Sequence, residues 1–390
     1  MHRVASGQPD TPSATASAKP TASVAKISTN PPTGAVAVAP DAPVSVQVDN
    51  GRLQTVTLAG PDGTPVTGQL GPMSDTWTST GYLALATSYT FSVTAVDPAG
   101  LSTSATSTFT TMPAPADPER VRVSPLDSET VGVGMPVVLY FTHPVIDRVA
   151  VERRLSVTST PAVVGGWYWM SDTELHYRPQ AYWPAGASVT VNIPLNGVNA
   201  GAGIYGDQDR VINFKIADHA MVSTVDIAGH SMTVTRDGAT VATYPITSGK
   251  PGWETRDGAM VVLEKWPDKE MNAATIDVPP GSPEYYDLLH VLYALRLTWS
   301  GEFVHAAPWS VGAQGSANVS HGCVGLSTDN AKAFFDMTTR GDIIDVVNSP
   351  RPLEQGNGYT DWNLSWPDWL RGSALYGPTA QQTATATITP

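Results

Sequence analysis

Apolar and polar residues alternate with a period of two along most of this chain, the pattern of strands that bury one face. Val44, Val46 and Val48 alternate with polar neighbours and run into Asn50-Gly51, a strong hairpin signal. Tyr89, Phe91, Val93 and Ala95 share one face of a second hairpin that turns near Asp97-Pro98-Ala99-Gly100. Short strands at this spacing predict an Ig-like β-sandwich over residues 34–115, followed by the stiff linker Met112–Pro118. A second module is predicted over residues 119–217. Val137–Phe141 reads as a buried strand, Val189, Val191 and Ile193 alternate, and Ile212 and Phe214 fall on a closing strand. The module endings STFTT and INFKI are similar, as in a duplicated unit. Trp167, Tyr168 and Trp169 beside Gly165-Gly166 suit either a glycan platform or a sandwich core with an inter-domain contact, and the second reading is preferred.

Residues 218–349 predict a further β-rich domain. MTVTRDGATVATYPIT is a hairpin around Asp237-Gly238, and the run from Gly258 through Trp266 is a strand. Leu289–Leu297 suits a helix begun at Ser282-Pro283 or a strand. The alternation of Val291, Tyr293, Leu295 and Leu297 before Ser300-Gly301 favours a strand that turns back into Glu302–His305. Ser327 is expected to cap a helix over 328–339, with Ala331, Phe334, Phe335 and Thr338 facing inward, Gly341 stopping it, and Asp342–Val347 as a closing strand. Residues 350–390 carry Trp362, Trp366 and Trp369. These suit sugar rings, or a C-terminal extension fastened to the preceding domain, which is the reading adopted. Residues 1–33, rich in Ser, Thr, Ala and Pro, are expected to be a disordered tether, and the run from Thr379 a disordered tail.

Composition narrows the class. Of 390 residues only 15% are charged, while 34 are Gly and 33 Pro, which suits a turn-rich β protein. The net charge of −13 and the lack of a basic patch argue against a nucleic-acid partner. No run of 18 apolar residues predicts a transmembrane segment, and no signal-peptide core is visible. A single cysteine excludes an intramolecular disulfide.

That cysteine, Cys323, lies in HAAPWSVGAQGSANVSHGCVGL with His305 and His321. A thiol attacks as thiolate, so a nucleophilic cysteine needs a base nearby, and a folded loop brings His305 or His321 to it. Gly322 removes a Cβ beside the nucleophile, and the N–H groups of Gly322 and Cys323 could face an oxyanion. A lone cysteine is otherwise a small buried apolar residue. Zinc bound by His305, His321, Cys323 and His290 is disfavoured, because the spacing matches no usual zinc pattern.

Fourteen residues separate His305 from Ser320-His321-Gly322-Cys323. This resembles the H-x(14–17)-[ST]-H-G-C signature of the L,D-transpeptidases of the YkuD type, peptidoglycan cross-linking enzymes. The run from His305 to Gly315 resembles the actinobacterial branch, which carries Ig-like modules before the catalytic domain. The resemblance covers about Glu119–Arg371 and implies a mainly β protein: two Ig-like modules, then a β-rich catalytic domain with one or two helices. It implies that Cys323 attacks a tetrapeptide stem and His305 acts as base. Gly322, His321 and Ala306 are implied as oxyanion or loop support, with the Ala306 carbonyl fixing the His305 tautomer. Substrate contacts are expected at Tyr285, Tyr286, Trp309 and Ser320. Peptidoglycan stem peptides are the implied partners, carbapenems the implied covalent inhibitors, and no metal or organic cofactor is implied. The implied place is the cell envelope, with an export signal or anchor missing from this chain.

Two positions depart from the family pattern. Gly325 stands where Asn or Arg is usual, and is expected to loosen the backbone after the nucleophile. The lid has no tyrosine between Lys265 and Ser282. Other readings of the site are an L,D-carboxypeptidase using water as acceptor, a sortase, and a decayed site in an envelope-binding or spacer protein. A sortase would have an arginine soon after the cysteine, whereas the next here is Arg340. The intact Cys323, His305 and Gly322 argue against decay.

Overall fold

The computed structural model describes residues 21–377. The expectations for residues 1–20 and for the tail from 378 onward lie outside the described residues. The chain divides into two compact units, Met1–Ala114 and Pro115–Pro390.

The first unit holds β1 (Lys26–Asn30), β2 (Ser45–Asp49), β3 (Arg52–Ala59), β4 (Gly68–Leu70), β5 (Thr76–Ser79), β6 (Ser88–Val96) and β7 (Ser102–Thr110). They form two sheets, in the orders β1-β2-β5-β4 and β3-β6-β7. The alternating residues meet between them: Val44, Val46 and Val48 pack with Leu58, Trp77, Phe91 and Val93. Two expectations change. Lys26–Asn30, inside the stretch read as a tether, pairs antiparallel with β2 along its whole length. Asn50-Gly51 does not close a hairpin, because β2 and β3 belong to different sheets. Val48 and Leu53 face one core, so the chain turns a sandwich corner there. Glycine is needed at position 51 for close approach: a Cβ would lie 2.7 Å from Ala25 Cβ and 2.8 Å from the Val96 carbonyl oxygen.

The second unit begins with another sandwich. Its strands are β8 (Val121–Ser124), β9 (Thr130–Val131), β10 (Val137–Phe141), β11 (Ser156–Thr160), β12 (Gly165–Trp169), β13 (Glu174–Pro179), β14 (Ser188–Pro194) and β15 (Asp209–Ile216), with the short helix α1 (Arg148–Glu152). The sheets run β12-β13-β10-β8 and β11-β14-β15-β9. Trp167 and Trp169 are core residues, as preferred from the sequence.

The remaining strands are β16 (Met221–Asp226), β17 (Ser231–Arg236), β18 (Ala239–Pro245), β19 (Gly258–Val261), β20 (Glu264–Asn272), β21 (Asp287–Arg296), β22 (Phe303–Ala306), β23 (Val324–Leu326) and β24 (Ile343–Val347). They form sheets β18-β17-β16-β24-β19 and β20-β21-β22-β23. Met232, Ile246, Leu295, Val304, Val324 and Ile344 fill the core, together with Ala331 and Phe334 of helix α2 (Thr328–Met337). Leu289–Leu297 is the expected strand, paired antiparallel with β22. The run from Gly258 to Trp266 is not one strand: it breaks after Val261, and β19 and β20 enter different sheets. Helix α2 begins on Ser327, whose side chain accepts the Asn330 N–H. It ends at Thr338, not at Gly341, because Thr338 leaves the helix in an extended conformation (φ −95, ψ 142) while its Oγ1 also donates to the Phe334 carbonyl. Gly341 (φ +96) instead lets two backbones touch, since a Cβ there would sit 2.8 Å from Gly132 N.

The C-terminal extension meets the expectation in part. The Leu353 N–H donates to the Asp257 carbonyl at 2.9 Å, and the Asn363 side chain exchanges hydrogen bonds with the Ala259 backbone at 2.8 Å, so its first half is fastened to the β-rich domain. Its short helix α3 (Trp366–Leu370), however, docks on the second sandwich. Trp369 donates to the Gly166 carbonyl at 2.8 Å and stacks on Tyr168; Trp362 donates to the Gly134 carbonyl at 2.8 Å. The Arg178 guanidinium lies against Trp362, Trp366 and Trp369 at 4.8, 5.3 and 4.8 Å.

Candidate active site

Strand register sets the site. Parallel pairing of β22 with β23 puts His305 opposite Gly325. Side chains two residues apart in an extended chain share a face, so Cys323 projects toward the same side as His305. Gly325 carries no side chain there, and the face opens into a cavity of about 350 Å³. Cys323, His305, His321, Ser320, Trp309 and Tyr286 all line it, beside Thr247, Met271, Leu288 and Ser310.

His305 is 6% exposed. Its Nδ1 lies 2.8 Å from the Ala306 carbonyl oxygen, which can only accept, so Nδ1 carries the proton and Nε2 keeps its lone pair. Burial lowers the imidazole pKa below its ordinary value, leaving a neutral base at pH 7. The Cys323 thiol is pushed up to about 12, mainly by burial, with Glu302 adding to the rise and a backbone hydrogen bond at Phe303 opposing it. Sγ packs among Met271, Val291, Ala294 and Phe303 and lies 3.8 Å from the Gly301 carbonyl oxygen. The resting pair is therefore a neutral thiol with a neutral imidazole.

The cysteine loop is tied from several sides. Ser320 Oγ donates to the Cys323 carbonyl at 2.6 Å and accepts the Gly322 N–H at 3.1 Å. The Gly322 N–H is thus engaged inside the loop instead of facing the cavity. Thr255 Oγ1 donates to the Gly322 carbonyl at 2.7 Å, and Gly322 takes φ +120. His321 Nε2 lies 2.6 Å from Glu284 Oε2, which also pairs with Lys250. The His321 ring packs between Trp253 and Tyr286, with centroids at 4.9 and 5.2 Å. Glu284 and Tyr286 belong to the segment joining β20 to β21, so this network pins that segment over the thiol.

The other expected contacts separate. Tyr286 lines the cavity, whereas Tyr285 turns away and its hydroxyl accepts from Asn272 Nδ2 at 3.2 Å. Trp309 stays 58% exposed, its ring 5.9 Å from that of His305. His290 pairs with Asp268 on the exposed face of β21 and does not join His305, His321 and Cys323. Gly325 does not loosen the loop: its N–H and carbonyl exchange hydrogen bonds with Thr247 at 2.8 and 3.1 Å. A Cβ at position 325 would lie 2.9 Å from Thr247 Cγ2 and 3.0 Å from Ala307 Cβ, so neighbouring side chains occupy the space that a larger residue would need. Thr247, Glu284 and Arg256 escaped the sequence reading because they reach the loop from distant segments, and no local spacing signals them; Glu302 begins the predicted run Glu302–His305, but its role depends on Arg256.

Residues 35–199 match the model of a bacterial Ig domain, and residues 220–346 that of the L,D-transpeptidase catalytic domain. The chain is 38% identical over 352 residues to L,D-transpeptidase 2 of Mycobacterium tuberculosis, covering 90% of this chain and 85% of that one. The chain belongs to the L,D-transpeptidase family. It is also 35% identical over 368 residues to L,D-transpeptidase 5 of the same species, covering 92% of this chain and 79% of that one. Among solved structures, an L,D-transpeptidase in complex with imipenem aligns over 60% of this chain and all of its own, with 38% identity and a TM-score of 0.52. The two Ig-like modules and β-rich domain described above are thus the architecture of an L,D-transpeptidase.

Proposed function

We propose that this L,D-transpeptidase forms 3→3 cross-links in peptidoglycan through a thioester on Cys323. Cys323 Sγ attacks the carbonyl of the L-centre of the third residue of a tetrapeptide stem, while His305 Nε2 takes the thiol proton. The tetrahedral intermediate collapses, the bond to the terminal D-Ala breaks, and the imidazolium returns the proton to the leaving amine. The side-chain amine of a second stem then attacks the thioester, its proton passes to His305, and the thiol is restored. The reading rests on one observation: Cys323 and His305 share a cavity, with Nδ1 held by the Ala306 carbonyl so that Nε2 carries the lone pair. A neutral resting pair suits it, because neither charge has to be buried before substrate arrives.

His321 serves as loop support in this scheme, and Ser320 tethers the nucleophile's own peptide. The Cys323 N–H is the remaining loop donor for the oxyanion. Tyr286 and Trp309 border the donor stem. Carbapenems acylate the same thiol, a reading consistent with the imipenem complex of the related enzyme. The place of action is outside the cytoplasm, in the cell envelope. Residues 34–115 and 119–217 carry no candidate catalytic groups and act there as spacer modules. No helix among the described residues is long and apolar enough to cross a membrane.

The test is incubation with a purified disaccharide-tetrapeptide, with products read by mass spectrometry. A cross-linked dimer that has lost one D-Ala supports the reading. Release of tripeptide alone would mean that water is the acceptor. No product and no carbapenem adduct on Cys323 would overturn it.

A further inference from the structure

Beneath the cysteine loop lies an ion pair that the scheme above does not use. Glu302 immediately precedes the strand that carries His305, and its side chain is 5% exposed. Its Oε1 accepts the Arg256 N–H at 3.0 Å, and its Oε2 faces Arg256 Nη1 at 3.2 Å with no hydrogen bond of its own. Arg256 also pairs through Nε with Glu354. The neighbouring Thr255 is the residue that holds the Gly322 carbonyl. A Cβ on Gly322 would sit 3.4 Å from Glu302 Cγ and 3.5 Å from Oε1. The carboxylate is therefore packed against the backbone one residue before the nucleophile. The Arg256–Glu302 charges, 3.2 Å apart and away from water, interact strongly.

We propose that Arg256 is a positioning residue for the Cys323 thiol: by pairing with Glu302 it offsets a buried negative charge that would oppose the thiolate and the oxyanion. Glu302 in turn anchors Arg256, and with it the segment that clamps Gly322. The directions of titration agree. Burial raises the Glu302 carboxyl and Arg256 pulls it back, while Glu302 adds to the rise of the thiol. The other charged or titratable groups around the loop are His305 on β22, His321 beside the nucleophile, Tyr286, Glu284 and Lys250 at the covering segment, and Arg351 and Glu354 beyond Arg256. All are left in place by the test.

The inference rests on Cys323 being the nucleophile, but its test does not. Cys323 is the only cysteine, so alkylation of the full chain by iodoacetamide reports this thiol alone. The rate is followed against pH for wild type, Arg256→Gln, Arg256→Lys, Glu302→Gln and the Arg256→Gln/Glu302→Gln double variant. Arg256→Gln should slow alkylation about tenfold at pH 8, the effect of a thiol pKa raised by about one unit. Glu302→Gln should speed it several-fold, Arg256→Lys should stay near wild type, and the double variant should return to within about threefold of wild type. Single variants that shift the rate in the same direction, or a double variant no faster than Arg256→Gln, would overturn the proposal and leave the pair as scaffolding. If Arg256→Gln does not fold, Glu302→Gln decides: faster alkylation supports the proposal, and unchanged or slower alkylation overturns it. A protein that alkylates as expected but forms no adduct with a tetrapeptide donor or carbapenem would sink the functional reading and leave this one standing.

Discussion

The two Ig-like modules bury their cores in different ways. Among the described residues, the buried core of the first is built from residues 25–109. The core of the second runs on into the catalytic domain and the C-terminal extension, taking in Val261, Leu263 and Ile343 of the one and Tyr359 of the other. Backbones meet there as well. The Gly132 N–H donates to the Arg340 carbonyl at 2.7 Å and that of Gly134 to the Gly341 carbonyl at 2.9 Å. A Cβ at Gly132 would lie 2.3 Å from Asp342 N and one at Gly134 2.1 Å from Ile343 Cδ1, so neither position tolerates a side chain without movement. Arg340 completes the joint by donating to Glu129 and Ser124, each at 2.6 Å. Two modules of one fold type thus have different status: one is self-contained, and the other is half of a shared core.

The largest test of that contrast is to cut at the second boundary. A chain beginning at residue 218 should fail to fold or should aggregate, because it would expose the shared core and strip the docking site of the C-terminal extension. Soluble, folded protein that still acylates on Cys323 would break the comparison.

A smaller effect is expected at His176, which ties the extension to the second module. Its Nδ1 lies 2.8 Å from Asp361 and its Nε2 2.7 Å from Glu174, with the ring fully enclosed. His176→Ala leaves the Asp361 carboxylate buried without its partner and should cost about 3–5 kcal/mol, read as a lower denaturation midpoint. The same histidine gives a pH signature. Burial alone would lower its pKa, but Asp361 and Glu174 outweigh burial and hold it near about 9, against an ordinary 6.5. Its stabilisation is therefore complete below about pH 6.5 and fades as pH rises through about 9. Thermal midpoints of wild type should fall across that window more than those of His176→Gln, and parallel curves would contradict the assignment.

The smallest effect sharpens the other side. Deleting residues 1–114 should leave the rate of Cys323 acylation unchanged within error, because among the described residues the second unit's cores and the cavity are built from Val121 onward. A loss of more than a few-fold would give the first module a part in the reaction.

How much of this was legible in the sequence follows from the range of each signal. Period-two alternation located Val44–Val48, Tyr89–Ala95 and Val189–Ile193, and the Ser327 cap marked the start of α2. His305 and Cys323 could be paired because a single loop and a specific spacing join them. What failed was whatever depended on a partner far along the chain. Asn50-Gly51 signals a tight turn but not which sheet the next strand joins. Three tryptophans signal burial but not against which module, which Gly166, Gly134 and Arg178 decide. Glu302 reads as the start of the strand that carries His305, and nothing local shows that Arg256 will lie beside it.

The central claim is that a buried neutral thiol is activated by His305. The direct measurement is the pH dependence of acylation by a tetrapeptide donor, followed as adduct mass on the intact chain for wild type and His305→Ala. Burial holds the imidazole pKa below its ordinary 6.5, so the wild-type rate should already be level by about pH 7. His305→Ala should be slower by about 10²–10⁴-fold near neutrality. Its rate should then climb about tenfold per pH unit as a thiol of pKa about 12 ionises unaided. A His305→Ala protein that acylates at the wild-type rate at pH 7, or a wild-type rate that keeps climbing toward pH 10, would contradict the account.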